Sequence, residues 1–436
     1  MFYSASTMTR TVSLQSDDFA LKAVPQEASA SGLHLALIIV GGTIGFAVYV
    51  IAAQIGGSLG YAQAAVAFAV GSLILGVMGA WTSYVGAKSR LSTYLLTQFA
   101  FGPRGGKLAN VAVAVSLIGW YGVISNTLGT ASQQMLLEAL AIEVSPYLTV
   151  SIASALMIAI TALGFTGIDR LALFMVPFML LFMVLAAWLA ITGGNGEFLD
   201  IEQRFSMPTA ISAVVGTYIA GVIIQPDYSR FAVNTRHAIW SVFIALGVAF
   251  PLIQYLAAVP SMALGEPDIV RMLALIGFLV PGFFLMFLGA WASNVLCLYS
   301  AGLSFATLLT RLKRVRLPHI IVVIGIFGTA LAFIPAQTYI VDYLVVLGVA
   351  IPPIGAIYII DAMFIRRFSM QLESLDEEPS IRWTALIAWL FAAVAGYLTS
   401  ETSFQLVGIA AIDSLIVASV LFSLLEVRRI RAARAG

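Results

Sequence analysis

Between His34 and Leu425 the sequence runs from one apolar stretch to the next, most of them long enough to cross a bilayer, and no other feature restricts its possible folds so sharply. Backbone inside lipid has no water to bond to, so only helices or closed barrels can span it. The stretches are continuously apolar, not alternating residue by residue, which selects helices over barrel strands. Hydropathy gives twelve spans, His34–Gln54, Tyr61–Val85, Val111–Thr130, Leu148–Phe165, Leu171–Ile191, Thr209–Ile224, Ala238–Ala263, Leu273–Leu309, Ile320–Phe333, Tyr339–Phe364, Trp383–Leu398 and Ser403–Leu425. Only 10% of the 436 residues are charged and 61% are hydrophobic, a balance no soluble domain has. The chain reads as an all-α polytopic membrane protein. The net charge of +1 says nothing about nucleic acid; the expected partners are the lipid bilayer and a small molecule, with no nucleic acid.

Charge placement sets the topology. Of the 22 basic residues, all but Arg204 and Arg271 fall in the two tails or in the connections at one end of the spans. Basic loops stay on the cytosolic side, which predicts both termini in the cytosol and a multi-pass protein of the cytoplasmic (inner) membrane. Carboxylates such as Glu138, Glu143, Glu197, Asp200, Glu266 and Asp268 collect at the opposite end. Residues 1–30 are polar and mixed, without the pattern of a signal peptide, and read as a cytosolic tail. The single cysteine, Cys297, excludes an internal disulfide or a cysteine-built metal site.

Two spans carry breaks. Thr209–Ile224 is barely long enough to cross, has Gly216 and Gly221 flanking Thr217 and Tyr218, and is closed by Pro226. The first span has Gly41, Gly42 and Gly45 at a corresponding depth. Each glycine weakens a helix by about 1 kcal/mol against alanine, so local unwinding is easy at both places. Close packing through small residues would use the same glycines. Glycine-interrupted helices at matching positions of two halves nevertheless point to an inverted-repeat transporter with its site near the midplane, between these two spans. The polar linker MQLESLDEEPS separates ten spans from two more. The expected division is a tail (1–30), a first repeat (31–203), a second repeat (204–368), and a segment with the linker, two helices and a basic tail (369–436).

Within this frame a few residues carry chemistry. Trp120 and Tyr121 lie mid-span between Gly119 and Gly122, away from the interfacial belts where membrane aromatics usually sit. Trp120 either packs against neighbouring helices or offers its ring to a planar ligand, with Tyr49 and Tyr218 as further aromatic surface. Ser293, Asn294 and Cys297 are close enough in sequence to share a helix face. They either bond between helices or, for Ser293 and Asn294, join freed carbonyls of the first span around a cation. His34, His237 and His319 all fall at span ends, which excludes a histidine relay through the core. Asp413 is the one clear intramembrane acid, but it belongs to the last two helices and is expected to be structural or partner-facing. Asp342 and Asp361 are expected at the interfaces, and Asp227 is expected to cap the next helix or pair with Arg230. Aromatics, hydroxyls and amides without formal charge suit a neutral planar heterocycle better than a polyamine or an anion. No nucleophile–base pair or metal cluster appears, so an enzyme is not expected.

Five motifs then carry a resemblance: IGGSLG after the first span, IGWYGV in the third, QPDYSRFAVN after the sixth, NVLCLYSAGL in the eighth and LGVAIPPIGAIYIID in the tenth. Over nearly its whole length the chain resembles the nucleobase:cation symporter family, the cytosine and purine permeases with their hydantoin and allantoin relatives. The resemblance implies twelve helices in a LeuT-like five-plus-five inverted repeat plus two. It also implies import of a neutral heterocycle with Na+ or H+ by alternating access, no cofactor, and function as a monomer. It places Trp120 and Tyr49 as stacking surfaces, Thr217 and Tyr218 at the heterocycle's edge, and Cys297 in or beside the site. Carbonyls of Gly45 and Val48 with Ser293 and Asn294 would form the cation site. The chain departs from cytosine permeases at Leu117, where they have a glutamine, and at Val295, Leu296 and Cys297, where they are asparagine-rich. Ala292 and Ser293 stand where sodium-coupled members have two hydroxyls. The heterocycle and the choice of cation therefore stay open. An amino-acid transporter of the same fold is the nearest alternative, which an uptake panel separates; a membrane sensor without flux is the other, which counterflow separates.

Overall fold

The computed structural model describes residues 22–163, 168–193, 205–266, 268–308, 317–335 and 339–435. Arg10, Arg204, Glu197, Asp200, the basic cluster Arg311, Lys313, Arg314 and Arg316, the span ends at Phe165 and Leu309, and the expected division at 203–204 lie outside the described residues. Seven described helices are long and apolar enough to cross a membrane, or eight if the pair Ala410–Leu425 and Val427–Ala433, bent by 70°, is one span. Four shorter apolar helices, Gly32–Thr43, Pro146–Ala162, Met207–Ile223 and Leu317–Ala332, lie among them.

The first apolar stretch is two helices. α1 (Gly32–Thr43) starts where the Ser31 side chain accepts the His34 N–H, and stops at Ile44 (φ −87°, ψ 65°) and the extended Gly45 (φ −107°, ψ 153°). α2 (Phe46–Ser89) resumes there and turns sharply at Gly60, whose φ of 72° suits a residue without a Cβ. α3 (Thr93–Phe101) is a short buried helix, and α4 (Pro103–Leu140) follows through Gly102 at φ 81°, with proline in its first turn where a missing N–H is harmless. α5 (Pro146–Leu163) and α6 (Ile168–Gly193) complete the first half.

The second half departs from the expected break. α7 (Met207–Ile223) runs without interruption through Gly216 and Gly221. A Cβ at Gly216 would collide with the Leu344 carbonyl, so this glycine is there for close helix packing. The break falls at Ile224 (φ −87°, ψ 7°), just before Pro226, and α8 (Gln225–Ser229) continues beyond it. Proline, which has no N–H for the ladder, decides the position. α9 (Thr235–Val242), a π-helical turn at Phe243–Ala249 and α10 (Phe250–Leu264) form one long span. The eighth predicted stretch splits into a short α11 (Ile269–Leu275) and α12 (Leu279–Leu308).

After α13 (Leu317–Ala332) a further break separates α14 (Ile340–Ala350) from α15 (Pro352–Ile360). Pro352 and Pro353 remove two ladder donors, the Ile354 N–H turns to the Ile351 carbonyl, and the Ala350 carbonyl left over accepts a hydrogen bond from Trp389 Nε1 at 2.8 Å. Trp389 belongs to α16 (Trp383–Glu401), which pairs with α17 (Ala410–Leu425) ahead of α18 (Val427–Ala435). The last helices thus support the broken tenth stretch. Asp413 is structural, as expected: its oxygens accept the Thr399 hydroxyl and the N–H groups of Leu406 and Val407, fixing the α16–α17 turn.

Two groups of helices face each other across the middle. α2 packs on α7, α8, α9 and α10, whereas α4 packs on α3, α5, α12 and α13. The ends of both groups that carry Arg90, Arg104, Arg366 and Arg382 form a basic end. There residues 22–31 cross from Arg90, which donates to the Val24 carbonyl, to Phe231 and Val233, which exchange main-chain bonds with Ala30. Asp361 lies at this end of its span. It is buried and pairs with Arg366 at 2.7 Å and with Arg382, which in turn holds Glu426 at 3.0 Å. Two adjacent arginines make this burial tolerable where a lone carboxylate would not be.

Candidate functional site

A cavity of about 80 Å3 opens where the breaks of α1–α2 and α7–α8 meet α4 and α12. Its wall is mostly aliphatic, with Ile38 and Ile39 from α1, Leu117 and Ile124 from α4, Ile224 at the second break and Leu296 from α12. Polar side chains on the wall are Thr217, Tyr218, Tyr228, Ser293 and Cys297, joined by the indole of Trp120 and the backbone at the two breaks. No carboxylate, basic side chain, histidine or amide lines the cavity among the described residues. A ligand with a formal charge would meet nothing to compensate it, and burying an unpaired charge is costly. A neutral planar molecule would lose little on entry.

Trp120 lies on this wall and is held from behind. Tyr343 meets it edge-on with ring centroids 5.8 Å apart at 71°, and the Tyr343 hydroxyl donates to the Ser116 carbonyl at 2.6 Å. That approach requires Gly119, whose Cβ would collide with the Tyr343 hydroxyl. The sequence GWYG therefore creates a notch for one aromatic ring so that another can be fixed beside the cavity.

On α7, the Thr217 hydroxyl bonds back to the Val214 carbonyl at 2.6 Å. Tyr218 leans on Phe250 at 5.9 Å, and its hydroxyl lies 3.3 Å from where a Cβ on Gly42 would stand. On α12, the Ser293 hydroxyl points at the first break, 3.4 Å from the Gly42 carbonyl it donates to. Gly289, one turn earlier, admits the Ile44 carbonyl against α12.

Seven of the residues singled out from sequence line the cavity: Gly45, Val48, Trp120, Thr217, Tyr218, Ser293 and Cys297. Two do not. Tyr49 points the other way, into a small apolar space beside Phe182, Met183 and Met286, because it follows Val48 and leaves α2 on a different face. Asn294 is fully buried against α4, where its amide donates to Ser125 Oγ at 3.0 Å. Sharing a sequence neighbourhood with Ser293 does not give it the same face. Tyr228 was missed, although Pro226 in the QPDYSRF run signals a helix break beside it.

The fold and the cavity define a LeuT-like membrane transporter, with two broken helices enclosing a neutral site at their junction. Residues 23–421 match the family described as permease for cytosine/purines, uracil, thiamine, allantoin, and the chain belongs to that family. Its members are transporters, not enzymes. The cytosine permease of Escherichia coli K12 is 27% identical over 390 residues, covering 88% of this chain and 90% of that protein. The structure of Mhp1, a nucleobase-cation-symport-1 family transporter in a closed conformation with bromovinylhydantoin bound, superimposes with a TM-score of 0.80 at 20% identity, covering 97% of this chain and 96% of that one. Inward-facing Mhp1 gives 0.78 at 19% identity over 95% and 93%. A Na+-coupled sialic acid symporter shares the fold more distantly, with a TM-score of 0.66 at 13% identity over 91% and 89%.

Proposed function

We propose that the protein imports a neutral nucleobase or related planar heterocycle together with Na+ or H+, exposing one site alternately to the two sides of the membrane. The observation that carries this reading is the cavity itself: an aromatic face at Trp120, hydroxyl and main-chain groups at two helix breaks, and no charge among the described residues. The heterocycle stacks on Trp120 while its polar edge meets Thr217, Tyr218 and backbone groups near Ile224, and Cys297 lies against its rim. Gly45, Val48 and Ser293 border the place where a coupling cation would sit, with Tyr49 and Asn294 acting only from outside the cavity. The cytosine permeases and the hydantoin-bound relative support a heterocycle over an amino acid, whose carboxylate would find no partner.

Twelve spans in a five-plus-five-plus-two arrangement, divided at 31–203, 204–368 and 369–436, fit the helix order. The basic end faces the cytosol by the positive-inside rule, with both termini there, in the inner membrane and as a monomer. A thermal-shift screen of purified protein against nucleobases, hydantoins, allantoin and amino acids tests the substrate, because a ligand that binds the folded state raises apparent stability by mass action. Stabilisation by at least one neutral heterocycle and by none of the amino acids is expected. The reverse would transfer the reading to an amino-acid transporter.

A further inference from the structure

The symport reading requires a coupling ion, and the buried charges of the structure bear on which one. Beside the first helix break the side-chain oxygen supply is Ser293 Oγ, 3.4 Å from the Gly42 carbonyl. Ala292 precedes it, and Asn294 is turned to Ser125. With one side-chain oxygen there, a metal ion would depend on carbonyls freed by the break for its remaining ligands. A proton needs only one buried base.

Among the described residues four carboxylates are almost wholly buried, Asp227, Asp361, Asp413 and Glu426. Three are saturated. Asp361 has Arg366 and Arg382, Glu426 has Arg382 and the Thr384 hydroxyl, and Asp413 has a hydroxyl and two N–H donors. Asp227 differs. Its Oδ1 accepts the Thr93 N–H at 2.9 Å and the Thr93 hydroxyl also faces the carboxylate, whereas its Oδ2 is buried without a hydrogen-bond partner. A buried carboxylate oxygen without a donor is unfavourable as an anion and is relieved by taking up a proton.

Its surroundings fit that exchange. Among the described residues the charged group acting on it is Arg230, whose Nε donates to the Asp227 main-chain carbonyl at 3.2 Å. The other titratable groups facing it are Tyr94 of α3, Tyr228 of α8 and Tyr358 of α15, while Tyr299 of α12 faces Arg230. Further buried polar atoms without partners stand on the same elements: both ends of the Gln225 amide and Ser229 Oγ on α8, and Ser83 Oγ on α2. Ser229 packs against Gly86, one turn along α2 from Ser83. Such atoms can relay a proton through water.

The Thr93 bond also ties together two parts that must separate for the basic end to open. Thr93 is the first residue of α3, whose own N-cap, Ser92, makes no side-chain cap. Asp227 supplies that cap from α8. α3 packs on α4 and α15, whereas α8 packs on α2. A carboxylate at a helix N-terminus bonds strongly, and protonation removes the charge that makes it so.

We propose that Asp227 is the seat of the coupling proton, and that its protonation slackens the cap on α3 so that α8 parts from α3 and the cavity opens at the basic end. The inference rests on the symporter reading and deepens it. Oδ2 takes the proton on the outward side of the cycle and gives it up on the cytosolic side, after which the Thr93 bond re-forms.

Two measurements on the full protein test this. In weakly buffered detergent solution, binding of a heterocycle that exchanges in proteoliposomes takes up about one proton per molecule bound. Asp227→Asn takes up none while still binding, and Asp227→Glu restores the uptake. In proteoliposomes, an inward pH gradient drives accumulation of that heterocycle several-fold above equilibrium, and Asp227→Asn retains counterflow but loses this accumulation. If Asp227→Asn does not fold, Asp227→Glu decides: its longer carboxyl shifts the pH dependence of the proton uptake, and an unshifted dependence overturns the assignment. Binding without proton uptake, or accumulation driven by a sodium gradient at fixed pH, overturns the proposal. So does undiminished pH-driven accumulation in Asp227→Asn. Absence of any heterocycle counterflow in the unaltered protein would instead strike the symporter reading itself.

Discussion

Removing the Trp120 ring separates the two roles it could have. Trp120→Ala deletes one wall of the cavity and the edge-on contact with Tyr343, but leaves the Tyr343–Ser116 bond and the Gly119 notch in place. The aromatic pair is worth about 0.5–1.5 kcal/mol of stability beyond area burial. Stacking on a planar base is worth about 1–3 kcal/mol of binding. If Trp120 stacks on the heterocycle, the alanine variant should bind it about 5- to 150-fold more weakly. Trp120→Phe, which keeps a smaller ring, should recover part of the loss. The assay is equilibrium binding to purified protein, with thermal stability measured on the same samples. Tyr343→Phe is the control, since it keeps the ring contact and loses the hydroxyl. A folded Trp120→Ala protein that binds the heterocycle within twofold of the unaltered one would refute stacking and leave Trp120 as packing.

Three further outcomes follow from particular contacts. Gly216→Ala drives a methyl into the Leu344 carbonyl and should destabilise the protein by about 1–3 kcal/mol without changing which ligands it binds; an unaltered melting temperature would contradict the close packing of α7 on α14. In the linker, burial works against the Glu378 charge, but its bond to Arg366 at 2.8 Å, with Arg382 and Arg429 nearby, holds its carboxyl below the usual range. A depressed carboxyl contributes stability above its unfolded value and loses it as the pH falls through the folded one, so melting temperature should drop with acid below about pH 4, less steeply in Glu378→Gln; equal slopes would remove the linker contact from the account. Cys297 is the single thiol of the chain and lines the cavity, so a membrane-permeant maleimide should label it more slowly with a heterocycle bound; labelling indifferent to every ligand would place it outside the occupied space.

The sequence made the class of fold legible because apolar length and basic loops are direct consequences of the bilayer. It located the cavity to within a turn for the same reason, since helix breaks at membrane depth must line something. It misplaced the second break because glycine serves two ends: Gly216 gives close packing against Leu344, whereas the chain parts at Ile224, where Pro226 withdraws a donor. Tyr49 and Asn294 show the limit of counting residues along a helix whose phase is not known. Each is one residue from a cavity-lining neighbour, Val48 and Ser293, and about 100° of helical rotation sends each to another face. The ion-pair partners around Asp361 were not legible, because Arg366, Arg382 and the Arg382-bound Glu426 come from segments that only the tertiary fold brings together.

Counterflow measures directly whether a neutral heterocycle crosses the membrane through this protein. Proteoliposomes loaded with a high concentration of one unlabelled nucleobase or hydantoin, and diluted into a trace of the same labelled compound, report exchange through a single site without needing any ion gradient. A transient overshoot of label is expected for at least one neutral heterocycle, suppressed in Trp120→Ala, and none for amino acids. An overshoot with an amino acid, or none with any heterocycle that stabilises the purified protein, would contradict heterocycle transport.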